Sequence, residues 1–411
     1  MSSLLELTLG IMTALGGFVD VGELVFAVQA GAKFGYLLLW AVVLGTVGII
    51  LFGEMSGRIA AVRQEPVFNV MRTELGYGLG LVVLVASVLV NLLTCAAEIG
   101  GVAVVLQLLA GTGFRVMVAA AAALLLVTVF FSPFRLIERV FGLLGLTLLV
   151  YLVAALVEGP DWGRVWHGLV PHMPEPGQPG LPVYLYYATG LLSSIMMPYE
   201  VYFYSSGAIE EDWTPKDVAA DKLTAGFGFT LGGILTMALI AVGAMVYLPQ
   251  GIDPQRLGTS VLAATTLLGR WGSYLALAGI FFAVAGAAVE TALAGGYSVA
   301  QFFSLPWGKS RKAIEVPTFT VTWILVIVLG AGVALSGLNP VTVVEFSVVF
   351  AIVVLPFTYY PILRMAGNRK LMGEHVNSRV ARVLGWLYLV LIAVVALAAV
   401  PLMIVTHMGE G

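Results

Sequence analysis

Apolar runs of bilayer-spanning length recur from one end of this chain to the other. Eleven can be read, near 8–30, 36–57, 79–108, 116–132, 134–157, 183–209, 223–247, 272–303, 315–336, 341–364 and 382–406. A helix needs about 20 apolar residues to cross roughly 30 Å of hydrocarbon, and each run reads as one such helix. The longest connection, EGPDWGRVWHGLVPHMPEPGQPGLP at 158–182, is rich in Pro and Gly, so no soluble domain fits between the spans. Only 10% of the 411 residues are charged and 60% are hydrophobic, against about 25% charged in a soluble domain. The expected fold class is an all-α membrane protein.

The same counts exclude several functions. A net charge of −3 gives no reason to expect nucleic acid. Cys95, the single cysteine, rules out an intrachain disulfide and a cysteine-built metal cluster. The opening MSSLLELTLG has no Lys or Arg, so it lacks the head of a signal peptide and the first span is expected to be retained. Lys and Arg set the orientation. With the N-terminus inside, inner loops hold fifteen of the 20 basic residues; outside are Lys33, Arg115, Arg164, Arg256 and Arg270. The N-terminus is therefore expected in the cytoplasm and the C-terminus outside, in a prokaryotic plasma membrane.

Acids inside the spans narrow the function. Asp20, Glu23, Glu98, Glu200, Glu290 and Glu345 all fall within apolar runs, while the basic residues are read into loops and span ends. An acid at mid-membrane costs a few kcal/mol unless it meets a wet cavity or a partner. Unpaired acids suggest a cation or proton as that partner; for Glu290 and Glu345 a protonated, hydrogen-bonded acid serves equally well. Asp20 and Glu23 lie in FVDVGELVF beside Gly16, Gly17 and Gly22, residues that let a helix unwind. Unwound backbone at mid-membrane lines a cavity or is buried, and its free carbonyls with carboxylates suit a hard cation. A second interruption is SIMMPYEVYF at 194–203, where Pro198 removes a backbone donor. Laying VDVGELVF over MMPYEVYF places Asp20 on Met197 and Glu23 on Glu200. Two interrupted helices five spans apart point to a transporter of inverted repeats with its site between them.

These residues resemble those of Nramp divalent-metal transporters. DVGEL and QAGA (Asp20 to Leu24, Gln29 to Ala32) are similar to the family's DPGN and QAGA, and MPYE at 197–200 to its MPHN. AAEIGGVAVVLQLL at 96–109, FRLIER at 134–139, TALAGG at 291–296 and NRKLMGEHVNS at 368–378 resemble family segments in the same order. The resemblance implies a LeuT-type fold: helices 1–5 (residues 1–157) and 6–10 (183–364) as inverted repeats, helix 11 (382–406) appended, helices 1 and 6 interrupted at Gly17, Gly22 and Pro198. It implies metal ligands at Asp20, Met197, the Ser194 carbonyl and Glu23, where the family has Asn, with Glu200 as a further acid. It also implies a proton route, altered here: Cys95 replaces the acid that precedes Glu98, and Tyr199 replaces a His. The tenth-helix Gln is replaced near Val348, with Glu345 one turn earlier.

Met197, a soft thioether, favours Mn²⁺, Fe²⁺, Co²⁺ or Cd²⁺ over Ca²⁺ and Mg²⁺, although a gap-filling core methionine is the plain alternative. Two or three carboxylates favour Mn²⁺, Mg²⁺ or Ca²⁺. Mn²⁺ suits both and stands first, then Fe²⁺ or Mg²⁺. Proton coupling is expected to be weak or rewired through Glu98 and Glu200, with Glu290 and Glu345 as additional candidates. His167 and His172, near Asp161 and Glu175, either collect metal outside or form a solvated loop face. Glu210, Glu211 and Asp212 either attract leaving cations or solubilise a helix end. The expected function is a secondary transporter importing divalent cations by alternating access, with the metal as substrate and no cofactor. Competing readings are an organic-solute or amino-acid carrier on the same fold, whose substrate carboxylate these acids would repel, and a non-transporting metal sensor. No nucleophile–base pair within the spans suggests an enzyme.

Overall fold

The computed structural model describes residues 19–410. Among these no strand occurs, and nine helices are long and apolar enough to cross a membrane. Gly16 and Gly17, read as part of the first interruption, lie outside the described residues. The chain starts with α1 (Val21–Phe34), α2 (Leu39–Arg63), a short α3 (Val67–Leu75), α4 (Tyr77–Ala110) and α5 (Phe114–Phe131). α6 (Phe134–Gly145) and α7 (Leu149–Glu158) form one span joined by a 3₁₀ turn. A short α8 (Trp162–Gly168) interrupts the Pro-rich connection. Then come α9 (Leu181–Ile195) and α10 (Pro198–Glu210), the two halves of the sixth span, followed by α11 (Val218–Val246) and α12 (Leu257–Phe302). α13 (Pro317–Ala334), α14 (Pro340–Ala366), a single turn α15 (Arg369–Met372) and α16 (Arg379–Val405) complete the order.

Helix boundaries match the apolar runs closely, except that α12 begins some fifteen residues before the expected 272. Its early part crosses a kink at Gly269, whose φ of 66° is left-handed backbone that glycine tolerates. α16 turns Val390, Val394 and Leu397 outward, 61%, 60% and 81% exposed. That apolar stripe at helical spacing faces lipid. The interior is closed by small residues. A methyl on Gly31 of α1 would stand 2.1 Å from the Ile240 carbonyl oxygen of α11, and one on Gly243 would stand 2.4 Å from that of Val28. Close helix approach through small residues is the packing mode available in lipid, where apolar burial alone drives nothing together. It seats α1 against α11, with α9 and α14 on its other sides.

One expectation is corrected here. Arg58, read as an inner-loop residue, lies inside α2 and is 4% exposed. Its guanidinium is held by both Glu54 oxygens (2.8 and 3.0 Å), the Asn377 side chain (2.6 Å) and the His375 carbonyl. A second bond from Asn377 N to Ala366 O (2.9 Å) closes the loop. The segment NRKLMGEHVNS is thus fastened on α2 by a buried cation, which is why a polar loop can hug the helix ends. Glu210 is a clamp too, accepting from the Tyr297 hydroxyl (3.0 Å) and from Lys309 N and Ser310 Oγ beyond α12. Glu211 accepts from the Trp213 indole. Glu210 and Glu211 of the acidic run at the end of α10 therefore serve the fold.

Candidate functional site

The helix α1 starts after Asp20, two residues before the expected Gly22. Asp20 is extended (φ −78°, ψ 173°) and caps α1, its Oδ1 accepting from Glu23 N at 2.7 Å. Aspartate does this because its short side chain folds back onto the unpaired N–H groups of a first turn. The Val21 N–H is taken by Glu98 Oε1 of α4 at 3.1 Å. Gly22 is helical, not the point of unwinding. A methyl there would stand 2.9 Å from Val348 Cγ2 and 3.5 Å from Ser194 Cβ. Its role is close approach, and it brings α1 against the end of α9 and the middle of α14. Gly22→Ala should therefore lower stability by about 1–3 kcal/mol and weaken cation binding, read by thermal melting with and without Mn²⁺. An unchanged melting temperature would contradict this contact.

The second break spans Met196 and Met197. In a continuous helix the Ser194 carbonyl would accept from residue 198, but Pro198 has no N–H. The proline thus denies the Ser194 carbonyl its helical donor, and the Ser194 Cβ lies beside Gly22. The Tyr359 hydroxyl holds the Met196 carbonyl (2.9 Å), and Ser193 Oγ donates to the Val348 carbonyl (2.6 Å), so α14 splints the break. The two methionines divide the work. Met196 packs its thioether end against Gly48 of α2, where a methyl would meet Cε at 2.5 Å. Met197 caps α10 at 1% exposure. The two first turns correspond: Asp20 and Met197 are the capping residues, and Glu23 and Glu200 occupy the third helical position of each. Acids are favoured there by the helix dipole.

Asp20, Glu23, Glu98, Glu200 and Glu290 are all at or below 8% exposure. Glu98 feels Asp20, Glu23 and Glu290, and Glu200 feels Glu23, Asp20 and Glu290. Tyr199, fully buried, lies among Asp20, Glu200, Glu98 and Glu290. Asp20 Oδ2, Glu23 Oε2, Glu98 Oε2, Glu200 Oε2 and the Tyr199 hydroxyl have no hydrogen-bond partner among the described residues. Yet no three His, Cys, Asp or Glu among those residues converge on one point as a metal-holding group. Glu200 is an electrostatic neighbour of the Asp20–Glu23 pair, not a third arm of it. Cys95 is core, its sulfur 3.9 Å from the Ala288 carbonyl. Glu345 lies three residues before Val348 in α14, with Lys33, Asp253 and Glu410 as its charged neighbours. His167 and His172 stack with ring centroids 3.6 Å apart in the Pro-rich connection, and His172 Nδ1 lies 2.7 Å from the Val170 carbonyl.

Three polar residues escaped the sequence reading. Thr236 of α11 reaches Glu23 Oε1 at 3.3 Å. Glu54 lies within the second run and went unremarked. Asp221, two residues before the run at 223–247, is fully buried in α11 and accepts from the Tyr204 hydroxyl at 2.9 Å. An acid inside a drawn span was a usable signal for Glu54; a threonine facing a carboxylate leaves no mark in sequence.

Comparison with known proteins decides the family. The model of the Nramp family, natural resistance-associated macrophage protein-like, matches residues 10–401. The chain belongs to the Nramp family. Relatives include the divalent metal cation transporter MntH of Deinococcus radiodurans, 26% identical over 388 residues, covering 91% of this chain and 85% of that protein. The MntH of Levilactobacillus brevis is 25% identical over 399 residues, covering 92% and 85%. Among solved structures, the Eremococcus coleocola manganese transporter aligns with a TM-score of 0.76 at 21% identity, over 96% of this chain and 86% of that one. The nucleobase-cation-symport-1 transporter Mhp1, in a closed conformation, aligns with a TM-score of 0.59 at 16% identity, over 96% and 91%. This Nramp chain thus has the expected LeuT-type fold, and it is an integral membrane protein.

Proposed function

We propose that this Nramp member carries divalent metal cations, Mn²⁺ first and Fe²⁺ or Mg²⁺ after it, into the cell by alternating access. One observation carries the reading: the first turn of α1 meets the end of α9 at Gly22 and Ser194, and the buried carboxylates around them have unpaired oxygens and no Lys, Arg or His among their charged neighbours. Buried charge without a counterion is costly, and a divalent ion offsets the Asp20–Glu23 pair outright. The curated relatives are named for divalent metal cations and the structural neighbour for manganese. The helices before and after the Pro-rich connection form the two repeats, residues 1–157 and 183–364, with the N-terminus cytoplasmic.

Asp20, Glu23, Met197 and the Ser194 carbonyl hold the ion; Glu200 lies beside it as a charge. Glu98 and Glu200 are the carriers of a weak or rewired proton coupling, in which Tyr199 stands where a His is usual. Calorimetric titration of the full chain with Mn²⁺, Mg²⁺, Ca²⁺ and Cd²⁺ tests the ligand set. Met197→Ala should weaken Cd²⁺ by about tenfold, Mn²⁺ by less, and leave Mg²⁺ nearly unchanged, because the gain from a thioether ligand rises with the softness of the ion. Equal losses for all four ions would remove Met197 from the site, and no binding by the parent would remove the metal reading.

A further inference from the structure

We propose a second cation-binding point at Glu345, where an incoming divalent ion waits before it reaches the central pair. The proposal rests on the transporter reading above. Glu345 is 7% exposed in α14 and takes part in no ion pair among the described residues. It lies three residues before Val348, whose side chain meets Gly22. Three residues of α14, about 4.5 Å of rise, therefore separate it from the contact with Gly22 in the direction of the Pro340 end. The Tyr186 hydroxyl is buried, has no hydrogen-bond partner among the described residues, and has Glu345 as its charged neighbour. A buried phenol oxygen without a partner and a carboxylate in no ion pair among the described residues are oxygen ligands of the kind a divalent cation takes.

The surrounding charges fit that ion. Lys33, at the end of α1, is bonded to Asp253 at 2.5 Å and sits 5.9 Å from the centre of the Tyr187 ring. Gln29 links the same turn to the Tyr187 hydroxyl (3.3 Å) and to the Pro254 carbonyl (3.4 Å). Glu345 feels Asp253, Lys33 and Glu410. Three carboxylates against one ammonium leave two negative charges in excess. The bonds from Lys33 and Gln29 fasten the end of α1 to Asp253 and Pro254, and Asp253, with its side chain 35% exposed, is more accessible than Glu345. A focused negative field of this sort raises the local concentration and capture rate of a cation, and salt weakens it.

Mn²⁺ uptake into proteoliposomes by the full chain, measured at several ionic strengths, tests this. Glu345→Gln should raise KM roughly threefold to tenfold and flatten the salt dependence, with calorimetric Mn²⁺ affinity at the central pair unchanged. Lys33→Gln removes the opposing charge and should lower KM. An active parent whose KM and salt dependence survive Glu345→Gln would overturn the waiting point alone. Calorimetric affinity falling in step with uptake would overturn it too, by placing Glu345 in the central site. If Glu345→Gln does not fold, an unchanged or raised KM in Lys33→Gln overturns the proposal. A parent that neither binds nor moves Mn²⁺ strikes the transporter reading itself.

Discussion

Asp20→Asn should lower Mn²⁺ affinity by at least about a hundredfold while α1 stays in place. The two functions of Asp20 sit on different oxygens. Oδ1 caps the helix at Glu23 N, and Oδ2 is buried without a partner. Asparagine caps a helix as well as aspartate does, so the substitution keeps the first job and removes the charge. Losing one partner of a buried charge pair costs about 3–5 kcal/mol, and each 1.4 kcal/mol is tenfold in affinity. Asp20→Ala should lose the cap as well, about 1 kcal/mol more in stability. Calorimetry and thermal melting on both variants separate the effects. Equal Mn²⁺ affinity in parent and Asp20→Asn would show that the first break holds no cation.

Arg58→Ala should be the most destabilising single change at the polar end of α2, by about 3–5 kcal/mol. The side chains of Arg58 and Glu54 are only 5% and 14% exposed, so removal of the guanidinium leaves Glu54 buried without its counterion. It also releases Asn377 and the His375 carbonyl, which anchor the 368–378 segment. The double variant Arg58→Met with Glu54→Leu should recover much of the loss, because it removes both charges instead of stranding one. Denaturation in detergent reads the stability, and proteolysis within 368–378 reads the loop. A melting temperature within a degree or two of the parent would show that the buried pair holds nothing together.

What the sequence disclosed follows from what repeats or stands out in it. Bilayer-length apolar runs placed most of the described helix ends to within a few residues, the early start of α12 excepted, because hydrocarbon thickness sets their length. The acids stood out because few other charges lie in those runs, and overlaying the two interruptions paired Asp20 with Met197 and Glu23 with Glu200. That register is the one the structure shows, capping residue on capping residue. Local roles were less legible. Gly22 looked like a hinge, since a glycine beside a carboxylate suggests unwinding. Its actual reason, Val348 and Ser194 across the gap, depends on residues far away in the chain. Arg58 looked like a loop residue because a basic group usually ends a span; only its buried partner Glu54, one turn before it, explains its place. Thr236 is invisible for the same cause: its hydroxyl matters through Glu23, over 200 residues earlier. The pairing of Glu98 with the Val21 N–H is likewise a contact between helices, and composition carries no trace of it.

The most direct test is to locate the ion. Crystals of the full chain grown with Mn²⁺, with data collected near the manganese absorption edge, should give one strong anomalous peak between the first turn of α1 and the break at Met197. That peak should lie within coordinating distance of Asp20 Oδ2 and the Ser194 carbonyl, and it should vanish in Asp20→Asn. A peak confined to the His167–His172 connection, or no peak between α1 and α9, would contradict a site built from the two breaks.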